Sequence, residues 1–158
     1  MHEARAGWVM LWLAAAAGTV HGLFSLYWAL GGHWLLDTVG AWAVELADDS
    51  PVAAGVALAG IAAVKFAGAA VPLLVEAGRI RGRRGWRIAE WVGAAFLILY
   101  GGANTVIAWL VLLGGLVPAG GYDRAAMIGH AALWDPLFLL WGLALGAGLA
   151  LSRGRLPD

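Results

Sequence analysis

The chain has 158 residues, of which 62% are hydrophobic and 13% charged, with ten Lys and Arg balancing ten Asp and Glu. Soluble domains carry about a quarter of their residues as charges, so the composition argues against a water-soluble globule. With no basic excess and no cysteine, it also leaves out nucleic acid as a partner, a disulfide framework, thiolate metal sites and cysteine nucleophiles.

Four apolar runs, at residues 8–30, 51–77, 88–117 and 125–151, each reach the roughly 20 helical residues that cross a bilayer. They leave no room for a separate soluble unit. The prediction is an all-α integral membrane four-helix bundle occupying residues 1–158 as a single domain. Ten tryptophans and 24 glycines suit that solvent, since indoles favour the headgroup level and glycine permits close helix contact.

The first run is interrupted only by His21 and a few hydroxyl side chains. Its apolar stretch exceeds the roughly 7–15 residues of a signal core, so it is expected to be a span rather than a cleaved leader. His21, Ser25 and Trp28 share one face, at spacings of four and seven. The connection that follows, residues 31–50, carries Asp37, Glu45, Asp48 and Asp49 but no Lys or Arg. Trp34, Leu35, Val39, Trp42, Ala43 and Leu46 recur at spacings near three and four, which on a helix would make one apolar stripe. This segment reads first as an anchor lying in the membrane interface, with a lid over the bundle as the alternative.

The second run is rich in Ala and Gly, has Gly55/Ala59, Gly60/Val64 and Gly68/Pro72 four apart, and holds Lys65 near its middle. Arg79, Arg81, Arg83, Arg84 and Arg87 crowd the next connection, while Arg5 precedes the first span and Arg153 and Arg155 follow the last. Because Lys and Arg stay on the cytoplasmic side of short loops, both termini and this loop are expected there, in a bacterial inner membrane. Glu76 with Arg79, and Arg87 with Glu90, stand three apart and are expected to form interfacial ion pairs.

The third run contributes Asn104, and the fourth contributes His130, Trp134, Asp135 and Pro136. Counting about 1.5 Å per residue, His21, Asn104 and Asp135 lie some 13–20 Å below the outer surface, with Lys65 near the midplane. Each span thus supplies a polar group to one broad layer, and in a small bundle such groups meet by pointing inward. Lys65 and Asp135 are the strongly charged residues deep in the spans, so they are expected to neutralise each other. Pro136 removes a helical hydrogen bond to Ala132 and should break the helix beside Asp135.

The segments "HGLFSLYWALGGHW" (21–34), "AGIAAVKFAGAAVPLL" (59–74) and "DRAAMIGHAALWDPLFLLWGLAL" (123–145) carry a resemblance. The chain resembles an uncharacterised family of small bacterial four-span membrane proteins that share a domain of unknown function. His21, Trp28, Gly31, Gly32, Asp135 and Pro136 fit the family's pattern, although Asp and Pro adjoin here where the family spaces them. The resemblance implies the architecture and no activity.

Three functional classes follow. The first is binding of a lipid-like ligand, or of a partner membrane protein, through a polar pocket in the outer half. The pocket would be lined by His130, Asn104, Trp134, Ser25 and Trp28, with membrane lipids as the surroundings. The second is an intramembrane acid/base enzyme, an isomerase or cyclase acting on a lipid or isoprenoid, using Asp135, His21 and Lys65; whether the protein is an enzyme stays open. The third is an ion- or proton-coupled carrier, or a haem protein ligated by His21 and His130. No nucleotide-binding, metal-binding or serine-hydrolase motif is present, and no cofactor or metal is predicted.

Overall fold

The computed structural model describes residues 2–152. Arg153 and Arg155, used above for topology, lie outside the described residues. The elements are α1 (His2–Ala29), α2 (Ala41–Asp49), α3 (Pro51–Glu76), α4 (Arg83–Leu112), α5 (Arg124–Gly129), a π-helical turn (His130–Trp134) and α6 (Asp135–Leu151). No strand occurs among the described residues, so the protein is all-α. Four stretches, Arg5–Ala29, Pro51–Glu76, Arg83–Leu112 and Arg124–Leu151, are long and apolar enough to cross a bilayer, which makes this a multi-pass membrane protein.

The third span begins and ends about five residues earlier than hydropathy alone suggests. Its start is set by Gly82, whose left-handed φ of 79° breaks the chain before Arg83. Arginine is a good helix former, so Arg83, Arg84 and Arg87 join the helix. Its end is set by Gly114, at φ 75°, which leaves residues 113–117 as a loop despite their apolarity.

Neighbouring helices alternate in direction, and their spatial order is α3, α1, α6, α4. The central helices α1 and α6 are the best buried, and α3 and α4 flank them with mostly exposed apolar faces. Although consecutive in sequence, α3 and α4 barely touch. The bundle is therefore open along one seam.

Close approach holds the rest together. A Cβ on Gly101 of α4 would fall 2.5 Å from the Leu139 nitrogen and 2.6 Å from the Asp135 carbonyl oxygen. Gly142 of α6 sits equally tight against Ile98, where a Cβ would lie 2.8 Å from the backbone nitrogen. Such backbone-to-backbone contact is how helices gain dispersion energy in lipid, where the hydrophobic effect does not drive them together.

At the arginine-rich end, Arg83 and Arg87 lie one turn apart on α4 and both reach Glu76 at the end of α3, at 2.8 and 3.3 Å. Arg87 also donates to Ser152 Oγ and to the Leu149 carbonyl, tying α3, α4 and α6 together. This corrects the expected pairing of Glu76 with Arg79 and of Glu90 with Arg87. Arg79 is in the loop, and Glu76 draws Arg87 away from Glu90.

At the opposite end, residues 31–50 fold down onto the bundle instead of forming one amphipathic helix. Only Ala41–Asp49 is helical, and residues 34–39 form turns that include Leu35 at a strained φ of 62°. Leu36 and Ala43 insert into a small core with Trp28 and Trp134, whereas Trp34, Trp42 and Leu46 point outward. The expected stripe is split: Trp34, Trp42 and Leu46 are exposed, Ala43 is buried, and Leu36, which lies outside the stripe, fills the small core.

Candidate functional site

α1 and α3 are direct neighbours, and their facing sides carry the first polar group. His21 and Ser25 stand one turn apart on α1 and are almost fully buried. Lys65 of α3 reaches across to them, with its Nζ 2.9 Å from His21 Nδ1 and 2.8 Å from Ser25 Oγ. The ammonium donates to both, which places the imidazole proton on Nε2. Ser25 Oγ in turn donates a hydrogen bond to the His21 carbonyl at 3.4 Å. Lys65 Nζ also lies 5.5 Å from the Phe138 ring centroid, within cation–π range. Buried His21 Nε2 has no hydrogen-bond partner.

The second polar group sits in span four. A π-helical turn places residues five apart next to each other, so His130 Nδ1 comes within 2.8 Å of Asp135 Oδ2. The wider turn also accommodates Pro136, which cannot donate to Ala132 and whose ring would crowd an α-helical carbonyl. His130 Nε2 lies 3.2 Å from the Val39 carbonyl. Both ring nitrogens thus face acceptors, a demand met by an imidazolium paired with the Asp135 carboxylate. Trp134 donates to Thr38 Oγ1 at 3.0 Å, Thr38 donates to the Leu35 carbonyl at 2.6 Å, and Trp28 donates to the Trp34 carbonyl at 3.0 Å. These bonds clamp residues 34–39 onto spans one and four.

The expected Lys65–Asp135 pair is therefore replaced by two separate groups, Lys65 with His21 and Ser25, and Asp135 with His130. Helix order gives the reason, since α3 packs on α1 while Asp135 is enclosed between α4 and the cap formed by residues 31–50. Asn104 is half-buried and enters neither group. His130 has no ring nitrogen free for an iron, so His21 and His130 do not offer a pair of axial haem ligands.

The expected pocket between spans one, three and four at the depth of Asp135 gives way to packing, for Asp135 and Trp134 are 1% and 3% exposed. The large cavity opens instead along the α3/α4 seam. It is a groove of about 800 Å³ with almost wholly apolar walls. Lys65 lies on one wall, Glu90 on the other, and Phe138 and Trp141 form the floor between them. Glu90 is only 7% exposed, and its Oε1 and the Trp141 Nε1 are buried without hydrogen-bond partners. Pro72, also in the wall, deprives the Gly68 carbonyl of its helical donor. Glu90 was read from sequence as half of a salt bridge. It lies less than one turn inside Arg87, and its burial in the groove wall, which spacing alone does not show, sets it apart from the arginine cluster.

The family model DUF3995, described as a protein of unknown function, matches residues 18–145. No curated protein and no solved structure matches the chain. The match covers His21, Lys65, Glu90, His130 and Asp135, and the chain belongs to this family.

Proposed function

We propose that this member of the DUF3995 family is an inner-membrane protein that binds a lipid-like molecule in the groove between α3 and α4. The observation that carries the reading is Glu90, whose Oε1 is buried without a hydrogen-bond partner beside an apolar groove that we read as opening sideways on the bilayer. Ionisable groups at such depth are costly to keep and mark function more often than structure. An apolar cleft with a few convergent polar groups is the usual form of a small-ligand site. The volume suits one chain-like molecule.

Gly93 lines this groove, and a Cβ built there meets nothing within 4 Å. Gly93→Phe should therefore fill the cavity without disturbing the helix contacts. Native mass spectrometry of protein released from mild detergent should show a retained lipid for the parent chain and a loss of at least about tenfold in occupancy for the variant, as expected for displaced apolar contact. Equal retention in both proteins would place the lipid elsewhere.

Arg79, Arg81, Arg83, Arg84 and Arg87 support an orientation with that end of the bundle, and with it both termini, in the cytoplasm. Cysteines introduced singly at Ser50 and Arg81 report this with a membrane-impermeant reagent applied to whole cells. Ser50→Cys should label and Arg81→Cys should not; the reverse pattern overturns the topology.

A second reading, acid/base chemistry on the bound molecule, draws on Lys65, which lines the groove while bonded to His21 and Ser25. A ligand seated beside it would meet an ammonium backed by an imidazole, a group able to move a proton.

A further inference from the structure

We infer that the occupant of the groove is a long single-chain neutral lipid with a hydroxyl group within the hydrocarbon region, bound beside Trp141, Glu90 and Lys65. This rests on the groove reading and specifies its ligand.

Two features of the groove select the ligand, and length is the first. Along α3 the walls run from Ala57 to Pro72, about 22 Å at the helical rise. One leaflet of hydrocarbon is about 15 Å deep, so the occupant extends beyond the midplane. A long isoprenoid or acyl chain does so.

The second feature is the position and kind of the polar atoms. Measured along their helices from the arginine-rich end, Glu90 stands about 10 Å inside, and Trp141 and Lys65 about 15–16 Å inside. The phosphate of a phospholipid stays at the level of the arginines, short of Trp141 and Lys65. An unsubstituted hydrocarbon tail reaches them but bonds nothing there. The protein offers both donors and acceptors. Trp141 Nε1–H has no acceptor, and Lys65 keeps a third N–H after serving His21 and Ser25. Glu90 Oε1 has no donor, and the Gly68 carbonyl has lost its helical one; a Cβ at Gly68 would lie 3.2 Å from the Trp141 ring, so that ring packs on α3 at this level. A hydroxyl is the smallest group that accepts from one set and donates to the other. A charged head at this depth would add a desolvation cost that a hydroxyl avoids.

The test uses the purified full-length protein, stripped of lipid in detergent, and three probes in titrations followed by native mass spectrometry. The probes are geranylgeraniol, the hydrocarbon of the same skeleton without its oxygen, and phosphatidylglycerol. Geranylgeraniol should bind roughly tenfold more tightly than the hydrocarbon, the gain of one or two well-made hydrogen bonds. Trp141→Phe and Glu90→Leu should each lower the geranylgeraniol affinity roughly three- to tenfold and leave hydrocarbon binding unchanged. Either variant alone suffices if the other does not fold. Gly93→Phe should exclude both. Equal binding of alcohol and hydrocarbon overturns the hydroxyl and leaves the groove standing, as does preferential binding of phosphatidylglycerol. If no probe binds, both the inference and the groove reading fail.

Discussion

Replacing Asp135 by Ala should destabilise the protein by about 2–4 kcal/mol, because it strips the buried partner from His130 at the base of the cap formed by residues 31–50. Asp135 is 1% exposed and holds His130 Nδ1 at 2.8 Å, while His130 Nε2 holds the Val39 carbonyl. Without the carboxylate, a neutral imidazole still serves the Val39 carbonyl through Nε2–H, but its Nδ1 is left without a partner. The His130 side chain is 28% exposed and can shed its charge, which keeps the loss below that of a fully buried ion pair. A double-mutant cycle separates this account from one in which Asp135 faces Lys65. Asp135→Ala and His130→Ala should couple by about 1 kcal/mol or more, whereas Asp135→Ala and Lys65→Ala should add within about 0.5 kcal/mol. Unfolding in mixed micelles reads both. Coupling at 65/135 and additivity at 130/135 would restore the other pairing.

The other large effect is expected at Gly101. A methyl group there meets the backbone of α6, the Leu139 nitrogen at 2.5 Å and the Asp135 carbonyl at 2.6 Å, so α4 and α6 must part. Backbone cannot rotate away as a side chain does. Gly101→Ala should cost about 3 kcal/mol, at the upper end of overpacking, despite the gain of up to about 1 kcal/mol from better helix propensity. Gly102→Ala is the internal control. Its Cβ would find Leu139 Cδ1 at 3.7 Å, an ordinary contact, and the change should be neutral or mildly stabilising. Thermal unfolding of the two variants decides it, and similar melting temperatures would contradict the α4/α6 packing described here.

The reading of the sequence succeeded where one coordinate was enough. Hydropathy and arginine placement locate a residue along the membrane normal, so four spans and the arginine-rich end were legible. The shared face of His21, Ser25 and Trp28 was legible too, since it is a property of one helix, and all three are buried. Depth says nothing of azimuth, however. Lys65 and Asp135 have opposite charge and similar depth, yet their helices present them to different neighbours. The His130–Asp135 contact was hidden because residues five apart diverge on an α-helix and meet only in a π-helical turn. Pro136 was the available signal. Glu90 was assigned by its spacing of three from Arg87, and the pairing failed because Glu76 on another helix competes for the same guanidinium. The groove itself was not legible, because it exists only through the order α3, α1, α6, α4, and a sequence of four similar apolar runs does not carry that order.

The groove is the centre of the functional account, and a photoreactive amino acid placed at Gly93 interrogates it most directly. At Val92, the adjacent residue, the side chain is 65% exposed toward lipid and serves as the reference position. After irradiation in native membranes, intact-mass analysis should show one predominant adduct at position 93 and a spread of bulk phospholipid adducts at position 92. The same phospholipid spread at both positions would mean that the groove holds only passing membrane lipid, and the binding account would be wrong.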